Sequence, residues 1–323
     1  MLWEVSKMIK YYIEDKENNQ IVECAVPEPS CWVSLIDPSA DEIRDTAADF
    51  DIPPEVIRTA LDLDERSRVE SDDNYKMILV NIPTREEDTE RELYTTIPLG
   101  IILSGNCVIT VCSKDSHVMR GFTNGTERDF HPGKQSRFIF QILYAIARRY
   151  LLYLRLIEKK SDSTELQFAR GQKNKQLLEL MKLEKSLVYF TVGLRSNEAV
   201  LEKLARTEFI KKYEEDAELL EDAIVENKQA IEMAKINTDI LESMSGTFAS
   251  VISNNLNVAM KVLAIVTVVM AIPTMIFSAY GMNVSSAYMP LANSPIGFPI
   301  IIGGSIAASL IAIFIILRIK LFK

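Results

Sequence analysis

The sequence predicts a mixed α+β membrane protein with an N-terminal cytoplasmic α/β domain, a long helical stalk and two C-terminal transmembrane helices. Three observations carry this expectation. Every one of the 45 Asp and Glu residues lies at or before Glu242. No proline interrupts the chain between Pro132 and Pro273. Two uncharged apolar runs follow, Val262 to Tyr280 with 19 residues and Phe298 to Leu317 with 20, each close to the roughly 20 residues that cross about 30 Å of hydrocarbon.

The first segment, 1–131, is turn-rich. "CWVSLI" and "YKMILVNI" have the apolar, β-branched character of buried strands, and "LYTTIPLGIILSGNCVITVC" divides into two more strands at Ser104, Gly105 and Asn106. Helices are expected between them. Ser39 can cap one, with acids in its first turn, and the prolines of "PPEVIRTALD" suit the start of another. From 132 to 257 the apolar spacing becomes heptad-like, through "FIFQILYAIARRYLLYLRL" and "NKQLLELMKLEKSLVYF", as in an ordinary coiled coil. The last helix is expected to run from about Glu198 to Tyr280, on the order of 120 Å at 1.5 Å per residue. Its weak point is Gly246.

Charge orients the remainder. Residues 1–242 carry 32 Lys and Arg against their 45 acids, a net of −13, and only Lys261, Arg318, Lys320 and Lys323 follow, giving −9 overall. Lys261 precedes the first span (258–280) and the other three sit in the tail (318–323) beyond the second (298–317), while the connecting segment 281–297 has no charge. The positive-inside rule therefore directs both termini to the cytoplasm of a multi-pass protein in the cell membrane. "MLWEVSKMIKYYIEDKENNQ" has no apolar core of signal-peptide length, as expected for a body that is not exported. Cys24, Cys31, Cys107 and Cys112 suit free thiols in a reducing compartment. Neither pair has zinc-ribbon spacing, and the histidines number two.

Read at helical spacing, the first span aligns Asn257, Met260, Leu263, Thr267, Ala271, Thr274, Ser278 and Gly281 near one face, with small, polar or flexible side chains. Ile265, Val268, Val269 and Ile276 lie elsewhere. Small residues also serve helix packing in membranes, so the stripe alone supports either pore lining or packing.

The stripe leads into "YGMN" at Tyr280 to Asn283, and together they resemble the signature of the CorA-type magnesium transporter family, the two-span GxN group. The likeness extends to "SNNLNVAMKVL" from Ser253, "YMP" at Tyr288 to Pro290, the basic tail, "CWVSL" at Cys31 to Leu35 and "ERSRVE" at Glu65 to Glu70. This resemblance implies a funnel-shaped homopentamer. Its first spans would line a pore, and Gly281, Met282 and Asn283 would form the ion entrance and selectivity site. It places Met260 and Leu263 at a cytoplasmic constriction that could block conduction by dewetting, with Asn257 just below. Mg²⁺ sheds water reluctantly, so neutral amide oxygens can meet the hydrated ion. The implied function is passage of Mg²⁺, with Co²⁺ and Ni²⁺ as further cargo, down an electrochemical gradient. Mg²⁺ is then substrate and regulatory ligand, with no organic cofactor and no nucleic-acid partner.

Two departures stand out. The family's outer loop commonly carries an acid just after its Met-Pro, where Leu291 stands here. The acidic pair of a regulatory site falls on Arg58 and Thr59, although Asp222 matches its stalk acid and Glu218 and Glu221 lie close by. A further stalk acid is replaced by Gly246. The missing loop acid keeps a zinc transporter of the same superfamily as an alternative. A membrane-anchored coiled-coil scaffold or sensor would explain the stalk and spans but not the polar stripe continuing into the loop. An enzyme is not expected, because GxxxxGK[ST], HExxH and GxSxG are all missing.

Overall fold

The computed structural model describes residues 9–15, 20–88, 91–124, 127, 130–169, 173–210, 213–283, 289–291 and 294–318. Residues 284–288 of the connecting segment, and Lys320 and Lys323 of the tail, lie outside them. The chain divides into two compact units, Met1–Ser245 and Gly246–Lys323.

The first unit is built on a seven-stranded sheet in the order β2-β1-β3-β7-β6-β5-β4. Its strands are β1 (Ile9–Asp15), β2 (Gln20–Cys24), β3 (Trp32–Ile36), β4 (Arg68–Ser71), β5 (Lys76–Asp88), β6 (Arg91–Ser104) and β7 (Cys107–Cys112). Among the described residues, only β3 and β7 pair in parallel. The β6–β7 hairpin turns at the expected place, with Ser104 opposite Cys107 and Gly105 at φ 53°. That left-handed geometry suits a residue with no Cβ.

One sheet face is covered by α1 (Ala40–Asp49) and α2 (Pro54–Thr59). Ser39 caps α1 in a capping box, its hydroxyl accepting from the Glu42 N–H while Glu42 reaches back to the Ser39 N–H, and Pro54 opens α2. Val33, Leu35, Ile109 and Val111 meet Ile43, Ala47 and Ile57 in this layer. Side chains alternate along a strand, so Trp32 and Thr110 point to the other face. There the fully buried Trp32 donates its Nε1–H to Thr110 Oγ1 at 2.8 Å and meets Tyr12, Phe130 and Phe138. Phe122 of α3 (His117–Thr123) joins this aromatic cluster through Phe130 and Phe138.

Three long helices complete the unit: α4 (Gln135–Ala169), α5 (Lys173–Arg206) and the beginning of α6 (Glu214–Tyr280). The expected single helix from Glu198 to Tyr280 is therefore two helices. Glu198 belongs to α5, and the chain leaves the helix after Arg206 before α6 begins. Neither Pro nor Gly marks this break, which is why periodicity alone carried the helix through it.

Buried positions on α6 recur as Asp216, Leu220, Ala223, Asn227, Ala230, Ala234, Asn237, Leu241 and Met244. The alternating steps of four and three are a coiled-coil seam. Polar side chains fix its alignment. Asn227 Nδ2 donates to Leu194 O of α5 at 3.2 Å, Asn237 Nδ2 to Leu154 O of α4 at 3.1 Å, and Ser245 Oγ to Glu184 Oε1 of α5 at 2.6 Å. A helical slip would bury these amides without partners, at about 1–3 kcal/mol each.

α5 is fastened to the sheet by the amide of Asn197. Its Oδ1 accepts from the Asn81 N–H and its Nδ2 donates to the Asn81 carbonyl, both at 2.7 Å. The side chain thus substitutes for a strand neighbour, because β4 begins only at Arg68, opposite Leu79. Ser67 Oγ completes the network, donating to Asn197 Oδ1 and accepting from Asn81 Nδ2. Gly193, one helical turn earlier, allows this approach; a Cβ there would stand 2.6 Å from the Tyr150 hydroxyl.

Asn197→Ala should lower unfolding stability by about 1–3 kcal/mol through the Asn81 N–H it leaves unpaired, while the Asn81 carbonyl keeps the Tyr150 hydroxyl at 3.2 Å. A falling denaturant midpoint with an unchanged m-value would report it.

Candidate ion pathway in the C-terminal unit

The second unit contains the C-terminal part of α6 and α7 (Gly297–Arg318). Both helices are long and apolar enough to cross a membrane, and none of the most apolar stretch of α6 is buried within the chain. Surface of this kind calls for lipid or other helices.

The faces of α6 are sorted. Ile265, Val269, Ile272 and Ile276 are half-buried, at steps of four, three and four. On α7 the least exposed positions beyond its first residue, Gly297, are Ile301, Ile302, Ser305, Ala308, Ser309, Ala312, Ile313 and Ile316. These rows mark the sides on which the two helices approach each other, with the small Ser305, Ala308, Ser309 and Ala312 on the α7 side. At about 100° per residue, Leu263, Thr267, Ala271, Thr274 and Ser278 fall roughly 180° around α6 from the half-buried row. All five are exposed in the single chain, as is Met260 on the same side. Asn257 is exposed too but stands about 80° off the centre of the stripe.

Among the described residues, one hydrogen bond joins the two helices. Pro273 has no N–H, so the carbonyl of Val269, four residues earlier, loses its partner inside α6. Ser309 of α7, only 7% exposed, shares its hydroxyl proton between Ser305 O of its own helix at 3.1 Å and that carbonyl at 3.4 Å, the longer arm crossing between the helices. A backbone oxygen that hydrocarbon would leave bare is thereby satisfied by the neighbouring helix. Thr267 and Thr274 donate only within their own helix, to Leu263 O at 2.9 Å and Met270 O at 2.8 Å. Their oxygens keep acceptor capacity on the open side.

α6 ends where the predicted entrance begins. The Gly281 N–H donates to Phe277 O at 2.9 Å, and Gly281, Met282 and Asn283 are exposed. A Cβ at Gly281 would come no nearer than 3.4 Å to its neighbours, so nothing among the described residues of one chain demands glycine there. The Tyr280 hydroxyl donates to Pro290 O at 3.1 Å, joining the end of α6 to the far part of the connecting segment. Leu291, where an acid was expected, has φ 63°, and its carbonyl accepts from the Ser294 N–H. Gly297 lies against that carbonyl, with room for no Cβ: one would stand 2.2 Å away. Sequence reading missed Tyr280, Gly297 and Ser309 as structural contributors, and only the internal Pro273 signalled a stranded carbonyl.

In the first unit, Glu218, Glu221 and Asp222 are exposed on α6, off its buried seam. No three metal-capable side chains cluster among the described residues. Arg58 and Thr59 are committed within α2, Arg58 to Glu55 Oε1 at 3.5 Å and the Thr59 hydroxyl to Glu55 O at 3.0 Å.

Comparison with known proteins gives consistent results. The profile of the CorA-like Mg²⁺ transporter protein family matches residues 28–318. A cobalt/magnesium transport protein CorA from Methanocaldococcus jannaschii is 29% identical over 296 residues, covering 89% of this chain and 90% of that one. The complete structure of the CorA magnesium transporter from M. jannaschii superposes with a TM-score of 0.79 at 26% identity, covering 97% of this chain and 98% of that one. The ZntB cytoplasmic domain from Vibrio parahaemolyticus shares the fold of 77% of this chain and 97% of its own, with a TM-score of 0.59 at 14% identity.

Ser309→Ala should cost about 1 kcal/mol of unfolding stability in detergent. In a Pro273→Ala background, where Val269 O regains a helical N–H, the same change should cost much less. This double-mutant cycle reads the interhelical bond itself.

Proposed function

This chain belongs to the CorA-like Mg²⁺ transporter family, and from that premise we propose that it passes Mg²⁺, with Co²⁺ and Ni²⁺ as further cargo, down its electrochemical gradient. The observation that carries the reading is the sorting of α6, whose small and polar stripe lies opposite the α7-facing row and leads to the exposed Gly281, Met282 and Asn283. In this reading several copies, five by family resemblance, turn their stripes to a common axis. Asn283 amide oxygens meet the hydrated cation at the mouth, so the ion keeps its water on entry. Gly281 permits close approach between copies, which agrees with the ordinary space around it among the described residues of one chain. Met260 and Leu263 form the narrow apolar ring, with Asn257 below it. Both termini face the cytoplasm. A divalent ion crossing about 100 mV gains roughly 4.6 kcal/mol, twice the 2.3 for one charge, which is sufficient to drive entry without a phosphate-bond cofactor.

Glu218, Glu221 and Asp222 are assigned to regulation by internal Mg²⁺. Because they form no three-ligand cluster within one chain among the described residues, such a site requires acids from a second copy. A zinc transporter is the second reading, favoured by Leu291 in place of the expected acid and by a mouth without charge among Gly281 to Gly297.

Flux of each cation into proteoliposomes tests the proposal. Mg²⁺ uptake should appear with wild type and fall at least about tenfold with Asn283→Ala, the effect of losing about 1.4 kcal/mol of recognition. Zinc flux that depends on a proton gradient, without Mg²⁺ flux, would replace it with the second reading. In excised patches, internal Mg²⁺ should suppress current, and Glu218→Gln/Glu221→Gln/Asp222→Asn should weaken that suppression; an insensitive wild-type current would remove the regulatory assignment.

A further inference from the structure

Two of the four cysteines, 76 positions apart in sequence, meet in the core of the first unit. Cys31 immediately precedes β3 and Cys107 opens β7, and these strands run parallel with Trp32 opposite Val108. The cysteines are therefore lateral neighbours across the sheet, about 4.8 Å apart at the backbone. Both side chains belong to the same buried layer. Their sulfurs are 3.4 Å apart. Adjacent backbones at this spacing and side chains on one face fall within the range that a disulfide spans.

The partners are not equivalent. Cys31 is fully buried and Cys107 is 8% exposed. The Cys31 thiol donates to Cys107 Sγ, which lowers the Cys107 pKa, while the same bond and burial raise that of Cys31; when protonated, Cys107 donates to Glu28 O at 3.6 Å. Ser30 and Asn106, the residues just before each cysteine, line a cavity of about 730 Å³. The cavity borders the backbone beside the pair, and neither sulfur lines it. The other two cysteines are placed differently, Cys24 on β2 and Cys112 at the far end of β7, where its thiol donates to Lys114 O at 3.0 Å.

We propose that Cys31 and Cys107 form a dithiol site that hydrogen peroxide converts reversibly to a disulfide, with Cys107 as the attacking sulfur and Cys31 as the resolving one. In the first step the Cys107 thiolate attacks one peroxide oxygen. An S–O bond forms, the O–O bond breaks, and the departing oxygen leaves as water after taking a proton, giving a sulfenic acid. In the second step Cys31 attacks that sulfur. The S–S bond forms, the S–O bond breaks, and hydroxide leaves with the Cys31 proton as a second water. Each sulfur gives up one electron and the peroxide takes two. A thiol reductant reverses the change by exchange. The rate of the first step rises with pH as the Cys107 thiolate fraction grows.

The test uses the full-length protein in detergent. After exposure to hydrogen peroxide and alkylation of the remaining thiols under denaturing conditions, peptide mass spectrometry should find a Cys31–Cys107 cross-link. Dithiothreitol should remove it, Cys24→Ser/Cys112→Ser should retain it, and the oxidised form should unfold at a higher temperature than the reduced form, since a 76-residue separation is closed. Either of two wild-type results would overturn the proposal: Cys107 oxidised to sulfinic acid while Cys31 remains alkylatable, or both thiols unchanged at a peroxide dose that oxidises a free-cysteine control.

Discussion

Two apolar helices in contact cannot enclose water. Inside hydrocarbon every peptide group must find its partner in its own helix or in a neighbouring one, and two packed cylinders leave no lumen between them. With the two spans found among the described residues, such a chain can serve transport only if it divides the surface of one helix among different neighbours. α6 shows that division. Its half-buried row faces α7, and the stripe of Leu263, Thr267, Ala271, Thr274 and Ser278 faces the other way. The Val269 carbonyl, stranded by Pro273, is turned into a tie to Ser309 on the α7 side. A helix whose rotation is fixed in this way holds its opposite face in a fixed direction as well.

The same economy of faces governs the water-soluble part of α6. Its buried seam alternates in steps of four and three, and three polar side chains along it bond to α4 or α5. Apolar heptads alone permit a slip by one repeat, whereas a buried amide accepts one alignment. α5 is in turn joined to the sheet through Asn197 and Asn81. Hydrophobic burial supplies the attraction, and these amides select the register.

Much of this was legible in the sequence, for identifiable reasons. The four strands with long β-branched runs were readable because both their faces are covered, and the two spans because hydrocarbon excludes charge. Strands β1 and β2 were not, since "IKYYIED" and "QIVEC" sit at one edge of the sheet and mix polar with apolar residues. The break after Arg206 escaped notice because "TEFIKKY" contains no helix breaker. The stripe and Gly281, Met282 and Asn283 were readable as local patterns in one helix and its end. Ser309, Gly297 and the Cys31–Cys107 pair were not, because each depends on which distant residue it meets, and spacing along the chain does not encode that.

The central claim is that one face of α6 lines the ion path and the face toward α7 does not. Its most direct test places single cysteines along 263–278 in a chain whose four native cysteines are serine, and measures block of cation flux by a charged, membrane-impermeant thiol reagent. Block at 267, 271, 274 and 278, with none at 265, 269, 272 and 276, is the predicted result. Block centred on the second set, or reactivity with no helical period, would contradict the account.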